Sequence, residues 1–561
     1  GYEKKACVGD HILMVGGRIG KDGIHGATFS SEPLHEGSPA TAVQIGDPIT
    51  QKRMTDFLLR ARDSGLYNAI TDNGAGGLSS SVGEMAQDTG GAVVHLERAP
   101  LKYHGLEPWE IFLSEAQERM TVAVPPGKLE AFLALAKGWA VEATDLGEFT
   151  DDGFLDVRYN GTTVAELSMD FLHNGLPKME LVARWKSAPP EPTEPVHSSS
   201  PSVDIIDILK RLNVCSKEYV VRQYDHEVQG GSIVKPLCGV RNDGPSDAAV
   251  VRPLLDSFEG VVVSHGIAPR YSDIDTYAMA TCAVDEAVRN AVAAGVNPDH
   301  LAALDNFCWC DPIAHEGNPD GEYKLAQLVR ANQALHDMCL HYLVPLISGK
   351  DSMKNDYRIG DTRISIPPTL LVSVVGKIDD VRRAVTMDLK NAGNYLYIIG
   401  NTYRELGASE YALMKGMSDS MVPRVHSPAR SLKIYRCIHT AISKGLVRAC
   451  HDISDGGLGV ALAEMCFSGE FGASIELAEI PQQGCTTDTE LVFSESPARL
   501  LLEIPQECAE TFEGLTRGLP CAQIGTVQKG DMITIKGSTG DQFCAFSRID
   551  AKAAWKATID F

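Results

Sequence analysis

The sequence predicts an α/β chain with an internal duplication, in which two similar α/β domains enclose an α+β domain of another kind. Three motifs recur at one offset of 380 residues (452 − 72): the Gly-rich turns at Asp72 and Asp452, the pairs Glu84–Met85 and Glu464–Met465, and the segments Ser114–Arg119 and Ser494–Arg499. Strand and helix signals also alternate within each copy, whereas the intervening stretch has a different pattern. One offset held at three separated places predicts two copies of one domain.

The elements follow from the spacing of apolar residues. The first copy shows a strand at 11–16, a helix at about 50–65, a strand at 67–71, a helix at about 79–88 and a strand at 92–96. The second copy opens with a strand at Tyr395–Ile399, and its flanking segment Gly393–Gly400 lies 384 residues after Gly9–Gly16 (393 − 9). The intervening domain combines strand signals at 248–253 and 260–264 with helices at 277–294 and about 322–342, which predicts an α+β fold.

A linker rich in Pro, Ser and Glu divides the chain at Lys186–Ser202. The predicted domains are a first α/β domain at 1–185, the linker at 186–202, an α+β domain at 203–387 with a helical leading segment to about 230, and a second α/β domain at 388–561. If a complete unit is an α+β domain followed by an α/β domain, the first unit lacks its leading domain. We therefore expect the chain to be a fragment, or one whose missing domain is supplied elsewhere.

Composition excludes several classes of function. The 561 residues carry 51 Lys and Arg against 74 Asp and Glu, and this net charge of −23 argues against a nucleic-acid surface, which needs clustered cations. No apolar stretch approaches the roughly 18 residues of a membrane span, and the N-terminus resembles neither a signal nor a transit peptide. We expect a cytoplasmic protein whose 14 Cys are buried thiols rather than zinc ligands or disulfides.

The two Gly-rich turns, at Asp72 and Asp452, are the best local signals for chemistry. A carboxylate at a strand end can ligate Mg²⁺, and the following glycines let backbone N–H groups approach a phosphate at a helix N-terminus. Alternatively, each Asp only caps the helix after a tight turn. Both interpretations stay open from this pattern alone.

A polar segment, Ser114–Met120, follows the apolar residues Ile111–Leu113, which we interpret as the end of a buried strand. In an extended segment Glu115 and Gln117 would point to the same side and hydrogen-bond a polar ligand. The alternative is a solvated loop with an internal pair between Glu and Arg119. This stretch alone favours the solvated loop.

The α+β domain holds three oxygen ligands of the type that Mg²⁺ prefers: Asp247, Glu286 and Asn290. Glu286 and Asn290 are four residues apart and share one face of the predicted helix. Such a pair is also common on an ordinary helix surface. The three residues therefore predict a metal site only in combination.

A second segment of this domain, Ser348–Met353, follows an apolar run and is predicted to be a loop at the end of a strand. Lys350 and Ser352 would then lie within reach of a phosphate. The segment is not a P-loop, because position 344, where the first Gly of that motif belongs, is Val.

Seven motifs together resemble the phosphoribosylformylglycinamidine synthase family almost end to end: Gly16–Phe29, Gln44–Pro48, Asp72–Gly77, Ser114–Arg119, Gly349–Ser352, Ile366–Thr369 and His451–Gly457. The resemblance implies two pseudo-symmetric halves, each with an N-type domain that contributes to a central β-barrel and a C-type α/β domain. The first N-type domain is expected to be missing here. The implied reaction uses ATP to activate the amide oxygen of formylglycinamide ribonucleotide as an iminophosphate, and glutamine-derived ammonia then displaces phosphate.

The resemblance also implies roles for individual residues. Substrate-binding positions are Gln44, Glu115, Ala116, Gln117 and Ser352. Nucleotide-binding positions are Ser246, Asp305, Gly349, Lys350 and Ser454. Metal ligands are Asp72 in the catalytic site and, in an auxiliary site whose nucleotide is structural, Asp247, Glu286, Asn290 and Asp452. The implied cofactors are Mg²⁺ and ATP or ADP.

The sequence departs from the family pattern in three ways. The family's catalytic His lies in the first N-type domain and has no counterpart here, so we expect no catalytic residue in this chain and no turnover by it alone. Pro497 stands where the first copy has Gln117, which fits a loss of substrate binding in the second copy. No glutaminase nucleophile is found, so the expected partners are a glutaminase domain or subunit and the missing N-terminal domain, with neither nucleic acid nor membrane.

Two other functions remain open from the sequence. One is a non-catalytic, nucleotide-binding scaffold subunit. The other is a different ATP-dependent kinase or synthetase of the same superfamily, which includes aminoimidazole ribonucleotide synthetase. Gln44 and the segment Glu115–Gln117 favour the amidation reaction over the latter.

Overall fold

The structure is a computed structural model that describes residues 4–29, 31–32, 43–186, 196–360 and 362–559. The chain divides into two compact units, Gly1–Leu181 with Lys354–Ser365 and Val182–Met353 with Ile366–Phe561. None of the helices in the described ranges has the length and hydropathy that crossing a membrane requires.

The first unit is built on one seven-stranded sheet. Its strands are β1 (His11–Gly16), β2 (Ala69–Asp72), β3 (Gly91–His95), β4 (Arg119–Val124), β5 (Ala143–Thr150), β6 (Phe154–Tyr159) and β7 (Thr162–Ser168). Their spatial order is β2-β4-β1-β5-β3-β6-β7. The helices of this unit are α1 (Gly26–Phe29), α2 (Pro48–Asp63), α3 (Leu78–Ala86), α4 (Pro108–Leu113), α5 (Leu129–Gly138) and α6 (Met169–Asn174).

Strand β1 is buried on both faces of this sheet. On one face Leu13 shares a core with Phe57 of α2 and Phe132 of α5, and on the other Met14 shares a core with Leu78 of α3. A strand covered on both sides reads as a continuous apolar run. This burial is the reason that the sequence alone located the strand.

The second unit begins with helices α7 (Pro201–Leu209) and α8 (Glu218–Val221) and the predicted α+β domain. That domain contains β8 (Ser232–Val234), β9 (Ala249–Val251), β10 (Gly260–Ile267), α9 (Thr276–Ala293), β11 (Leu301–Cys308), α10 (Gly321–Tyr342) and β12 (Leu346–Ser352). The hairpin β13 (Asp356–Ile359) and β14 (Thr362–Ser365) belongs to the first unit, and β15 (Thr369–Ile378) returns to the second. The sheet order is β12-β11-β15-β10-β9-β8.

Helix α9 lies close against this sheet. A Cβ at Gly266 of β10 would stand 2.1 Å from the carbonyl oxygen of Ala283 in α9, so only Gly allows this approach. The hydroxyl of Ser264 donates to the carbonyl of Ala287 at 2.7 Å on the same side. The metal-ligand candidates on α9 are therefore held at a fixed distance from β10.

The remainder of the second unit repeats the first fold. It contains β16 (Tyr395–Ile399), β17 (Thr402–Tyr403), α11 (Glu410–Lys415), α12 (Pro428–Ser443), β18 (Ala449–Asp452), α13 (Gly457–Gly469), β19 (Gly472–Glu476), β20 (Gln482–Gln483), α14 (Asp488–Phe493), β21 (Leu500–Ile504), α15 (Ala509–Thr516), β22 (Cys521–Gln528), β23 (Met532–Lys536), β24 (Gln542–Ser547) and α16 (Arg548–Lys556). The sheet order β18-β21-β16-β22-β19-β23-β24 matches that of the first unit strand for strand. The predicted duplication and fold class are thereby confirmed.

One predicted strand is wrong: the residues Ile111–Leu113 lie in helix α4. The helix starts at Pro108, whose fixed φ and missing N–H suit the first helical position. Glu110 then accepts a hydrogen bond from the backbone N–H of Glu107 at 2.8 Å and caps the helix. A run of three apolar residues could not distinguish this short helix from a strand.

The predicted loop at Ser348–Met353 is also wrong, because Lys350 and Ser352 lie within β12. This strand pairs in parallel with β11, with Asp305 opposite Gly349 and Cys308 opposite Ser352. Strand β12 lies at the edge of the sheet and is mostly exposed. Its residues therefore do not show the apolar pattern by which a buried strand is predicted.

Helix α7 packs in a place that the sequence did not indicate. Its residues Ile205, Ile208 and Leu209 share one core with Phe467 of α13 and Trp555 of α16. The leading helical segment therefore covers the second α/β domain.

Candidate functional site

The Gly-rich turn of the first copy joins β2 to α3 and is braced by Glu115. One carboxylate oxygen of Glu115 accepts from the backbone N–H of Gly76 at 3.1 Å, and the other accepts from the N–H of Ala27 at 2.8 Å. The side chain is buried, whereas Gln117 is exposed. The two side chains therefore do not act alike: Glu115 fixes the turn, and Gln117 is available to a ligand.

The second copy repeats this brace. Glu495 accepts from the backbone N–H groups of Gly456 at 2.7 Å and Glu410 at 2.8 Å, and it also accepts from the Tyr271 hydroxyl at 2.7 Å. Burial raises the pKa of Glu495 well above its ordinary value, and the nearby Asp455 adds to the effect. The duplicated Ser-Glu motif is thus a structural element of the turn in both copies.

The duplicated arginines close the same segment. The guanidinium of Arg119 donates to the carbonyls of Ala116 and Ser114, and that of Arg499 donates to the carbonyls of Ser496 and Ser494. Burial lowers the pKa of both arginines to about 10. Arg119 does not pair with Glu115, so the predicted solvated loop with an internal Glu–Arg pair is excluded.

A cavity of about 590 Å³, here called cavity 1, opens in the first unit at Gln117 and Glu118. Its walls include the backbone at Gly16 and Gly17 and the side chains of Arg18, Arg53, Lys102 and Gln117. Arg18 is paired with Glu142 and Lys102 with Asp22, whereas Arg53 makes no ion pair with a described residue. Gln44 is exposed next to a wall residue, Ile45. The carboxylates of Asp47, Glu118 and Glu142 also line the cavity, so cavity 1 is a polar pocket of balanced charge with an exposed carboxamide.

The corresponding positions of the second copy enclose only about 30 Å³, here called cavity 2. His426 stands where the first copy has Gly46 (426 − 46 = 380), and Pro497 stands where it has Gln117. The ring of His426 stacks on Tyr403 at 3.7 Å, and its Nε2 lies 2.6 Å from a carboxylate oxygen of Glu405. Side chains, among them His426 and Pro497, take up most of the second pocket.

The auxiliary-site candidates meet where β18 faces the start of β9 and helix α9. Asp247, His451 and Asp452 bring one ligand-capable atom each to within 4.8 Å of one another. Glu286 accepts from the backbone N–H of Ile267 at 2.9 Å. Asn290 donates its amide N–H to the carbonyl of His265 at 3.2 Å, while its own Oδ1 is buried without a hydrogen bond.

This site is short of positive charge. Burial and the neighbouring carboxylates of Asp452 and Asp455 raise the pKa of Glu286 to about 8. An unpartnered carbonyl oxygen beside several carboxylates is the donor set that Mg²⁺ takes in proteins. The residues present therefore fit a bound Mg²⁺.

The remaining nucleotide candidates fall into two groups. Ser246 precedes Asp247, and its hydroxyl donates to the carbonyl of Ala248 at 3.0 Å, whereas Ser454 Oγ stands 3.5 Å from Asp452 Oδ1. Asp305, Gly349, Lys350 and Ser352 lie together on the paired strands β11 and β12, where a Cβ at Gly349 would stand 2.6 Å from the carboxylate of Asp305. Lys350 Nζ donates to Ser352 Oγ at 3.1 Å. Asp72, in the first unit, is exposed and accepts from the Gly74 N–H at 2.9 Å.

Two residues of the auxiliary site escaped the sequence analysis. His451 precedes Asp452 and lies where the first copy has Thr71, and Arg289 lies three residues after Glu286 on α9. A comparison of the two copies at position 451 could have drawn attention to His451. Nothing in the sequence pairs Arg289 with Asp452, because 163 residues separate them. The roles assigned to all the site residues stay predictions.

Comparison with known proteins agrees with this architecture. Residues 8–160 and 391–538 match the family described as AIR synthase related protein, C-terminal domain, and residues 245–378 match its N-terminal domain. A phosphoribosylformylglycinamidine synthase subunit PurL from Thermoplasma acidophilum is 33% identical over 558 residues, covering 98% of this chain and 70% of the relative. Two solved structures, described as T. maritima PurL complexed with FGAR and with ADP, superpose with TM-scores of 0.65 and 0.61 at 24% identity, covering 94% of this chain and 73% and 72% of theirs. The structural likeness concerns the fold.

Proposed function

We propose a function on the premise that follows from these comparisons: the chain belongs to the phosphoribosylformylglycinamidine synthase family. It is accordingly a ligase that forms a carbon–nitrogen bond in purine biosynthesis. We propose that it binds formylglycinamide ribonucleotide and ATP and contributes the first C-type domain to the amidation of that substrate.

The contrast between cavity 1 and cavity 2 carries this proposal. A ribonucleotide phosphate is held by cations and N–H donors, and cavity 1 presents Arg18, Arg53 and Lys102. A substrate amide needs a partner that both donates and accepts, as the exposed carboxamide of Gln117 does. A duplicated domain with one open polar pocket, which offers cations and a carboxamide, and one filled pocket fits a single substrate site.

The chemistry assigns simple tasks to these residues. An amide oxygen is a poor leaving group, and ATP supplies the phosphoryl group that activates it when bound. The cationic side chains of cavity 1 would hold the substrate phosphate, and Gln117 would orient the amide. Glu115 takes no direct part in this proposal, because both of its carboxylate oxygens hold the backbone of the turn.

The auxiliary site is proposed to hold a Mg²⁺–nucleotide complex. Asp247, Glu286, Asn290 and Asp452 would ligate the metal, with Ser246 and Ser454 beside the phosphates. The unpartnered Oδ1 of Asn290 supports this proposal most directly, since burying a carbonyl oxygen without a partner costs about 1–3 kcal/mol. Asp305, Gly349, Lys350 and Ser352 are proposed to face nucleotide or substrate, and Asp72 to bind the catalytic Mg²⁺.

The ammonia is proposed to come from a separate glutaminase domain or subunit. The sequence contains no nucleophile elbow, G-x-S-x-G, and no Cys set in a strand–turn–helix elbow with a His partner. Supply of free ammonium chloride to a reconstituted reaction would therefore replace glutamine.

Replacement of Gln117 by Ala tests the substrate site. We expect the dissociation constant of formylglycinamide ribonucleotide, measured by isothermal titration calorimetry on the chain, to rise about tenfold or more, because a carboxamide that both donates and accepts is lost. The matched control is Gln87→Ala, which removes an exposed carboxamide that does not line cavity 1. Equal affinity of Gln117→Ala and wild type would contradict the role of Gln117. A wild-type chain that binds ADP but no formylglycinamide ribonucleotide would favour the scaffold function.

Replacement of Asn290 by Ala tests the auxiliary site. Purified wild-type chain is expected to release ADP or ATP on acid treatment and to carry more than one Mg²⁺ per chain by elemental analysis. Asn290→Ala removes one metal ligand, so we expect the dissociation constant of Mg²⁺–ADP to rise about tenfold or more. The control is the exposed Asn174→Ala in the first unit. A chain that stays folded without nucleotide or metal would contradict this site.

A further inference from the structure

Each of the two aspartates at the centre of the auxiliary site has one carboxylate oxygen already occupied. Oδ1 of Asp247 lies 2.8 Å from His451 Nδ1 and accepts from the backbone N–H of Asp452 at 3.1 Å. Oδ2 of Asp452 accepts from Arg289 through Nη2 at 3.0 Å and Nε at 3.3 Å. Neither His451 nor Arg289 belongs to the proposed ligand set.

The two donors are themselves held from behind. His451 Nε2 lies 3.0 Å from a carboxylate oxygen of Glu464 on α13, so both ring nitrogens face carboxylates. The other Nη of Arg289 donates to Asp285, one helical turn earlier on α9. Arg289 and Asp285 are buried almost completely, and His451 is buried as well.

When one carboxylate oxygen of an aspartate is hydrogen-bonded, the orientation of its other oxygen is fixed. Within the described residues, Asp247 Oδ2 and Asn290 Oδ1 make no hydrogen bond. Asp452 Oδ1 has a 3.5 Å contact with Ser454 Oγ and lies 3.8 Å from His451 Nδ1. Three oxygens, from β18, from α9 and from Asp247 two residues before β9, are thereby left for a cation. A carboxylate with one oxygen tied binds a metal through the other, which defines the geometry of the site.

We propose that Arg289 and His451 are positioning residues of the auxiliary site: they hold Asp452 and Asp247 so that each offers one defined oxygen to Mg²⁺. This inference rests on the proposed function of that site. The device belongs to the second copy alone. The first copy has Thr71 at the position of His451, and Glu84, its counterpart of Glu464, is exposed.

The side chains that can replace each donor make the test specific. Asn at 451 places an amide nitrogen where Nδ1 of His stands and keeps a donor for Asp247, whereas Leu keeps the volume and removes the donor. Lys at 289 keeps the positive charge and one donor group. Met keeps a similar chain length but removes the charge and every donor. If either residue had a purely structural role, its two variants would bind Mg²⁺–ADP with the same affinity whenever their thermal stabilities were equal.

The experiment uses the full chain, stripped with EDTA and titrated with Mg²⁺–ADP by calorimetry, with thermal unfolding recorded for every variant. We expect Arg289→Met and His451→Leu to raise the dissociation constant about 10–100-fold and Arg289→Lys and His451→Asn to recover most of the affinity. The control, Thr71→Ala in the first copy, is expected to bind as wild type does.

The outcomes separate the two proposals. If the wild type binds and all four variants stay within twofold of it, the positioning role is wrong and the auxiliary site stands. If Leu and Asn at 451, and likewise Met and Lys at 289, weaken binding equally, the positioning role is also wrong. If the wild type itself binds no Mg²⁺–ADP, the auxiliary site fails and this inference fails with it. If Arg289→Met does not fold, the positioning role is tested by comparing Arg289→Lys with wild type and by comparing the two variants at position 451.

Discussion

Asp285→Ala is expected to destabilise the second unit by about 3–5 kcal/mol. The carboxylate is fully buried in α9 and accepts from the hydroxyls of Tyr342 and Tyr435, from the backbone N–H of Ala498 at 3.0 Å and from Arg289. Its removal leaves one Nη of the buried Arg289 and two buried hydroxyls without this acceptor, while Arg289 keeps its contacts with Asp452. Urea unfolding followed by circular dichroism measures the change.

The matched control is an exposed ion pair of the same unit. Asp299 and Arg436 lie 2.6 Å apart with side chains nearly half exposed. Asp299→Ala is therefore expected to change the free energy of unfolding by less than about 1 kcal/mol. A loss below 1 kcal/mol for Asp285→Ala as well would show that solvent replaces the missing acceptor and that this network is not closed.

Gly77→Ala is expected to cost the first unit at least about 3 kcal/mol and to abolish ligand binding in cavity 1. The residue ends the Gly-rich turn with φ 57° and ψ −127°, a conformation that an L residue with a Cβ adopts only under strain. A Cβ there would stand 2.1 Å from the carbonyl oxygen of Ser114, which is backbone and cannot rotate away. The substitution must therefore move the segment that carries Glu115 and Gln117.

Gly65→Ala measures the cost of a positive φ without the steric clash that Gly77→Ala also introduces. This residue also has a positive φ, 61°, but a Cβ would meet no atom within 4 Å. We expect a cost of about 1 kcal/mol, the ordinary price of a left-handed Ala. Chemical denaturation of both variants, with the substrate titration repeated on each, measures the difference. Equal losses for the two variants would mean that contact with Ser114 contributes nothing.

The braced turn also changes how the Ser-Glu motif is understood. From the sequence, Glu115 looked like a ligand because it lies two residues before Gln117 in an assumed strand. In the structure helix α4 ends at Leu113, and the chain then turns so that Glu115 enters the interior and Gln117 faces cavity 1. The same carboxylate in the second copy, where cavity 2 is filled, makes the same backbone contacts. Because Glu115 and Glu495 make the same kind of backbone contacts in both copies, we interpret this carboxylate as a requirement of the shared fold.

The sequence by itself determined the duplication, the fold class and the family. The covered central strand and the Gly-rich turns leave local patterns, because each element requires certain residue types at certain positions. The recurrence of these patterns at a constant offset of 380 residues then reveals the duplication. The helix at Ile111–Leu113 follows from local signals, Pro108 and the cap by Glu110, that the apolar pattern did not show. Tertiary structure alone decided the pairing of the strand that carries Lys350 and the partners of the metal candidates. Arg289 meets Asp452 and His451 meets Asp247 only after the α+β domain has packed on the second α/β domain. Contacts between residues 163 and 204 positions apart leave no periodic trace in the sequence, because their cause is the meeting of two surfaces rather than the geometry of one element.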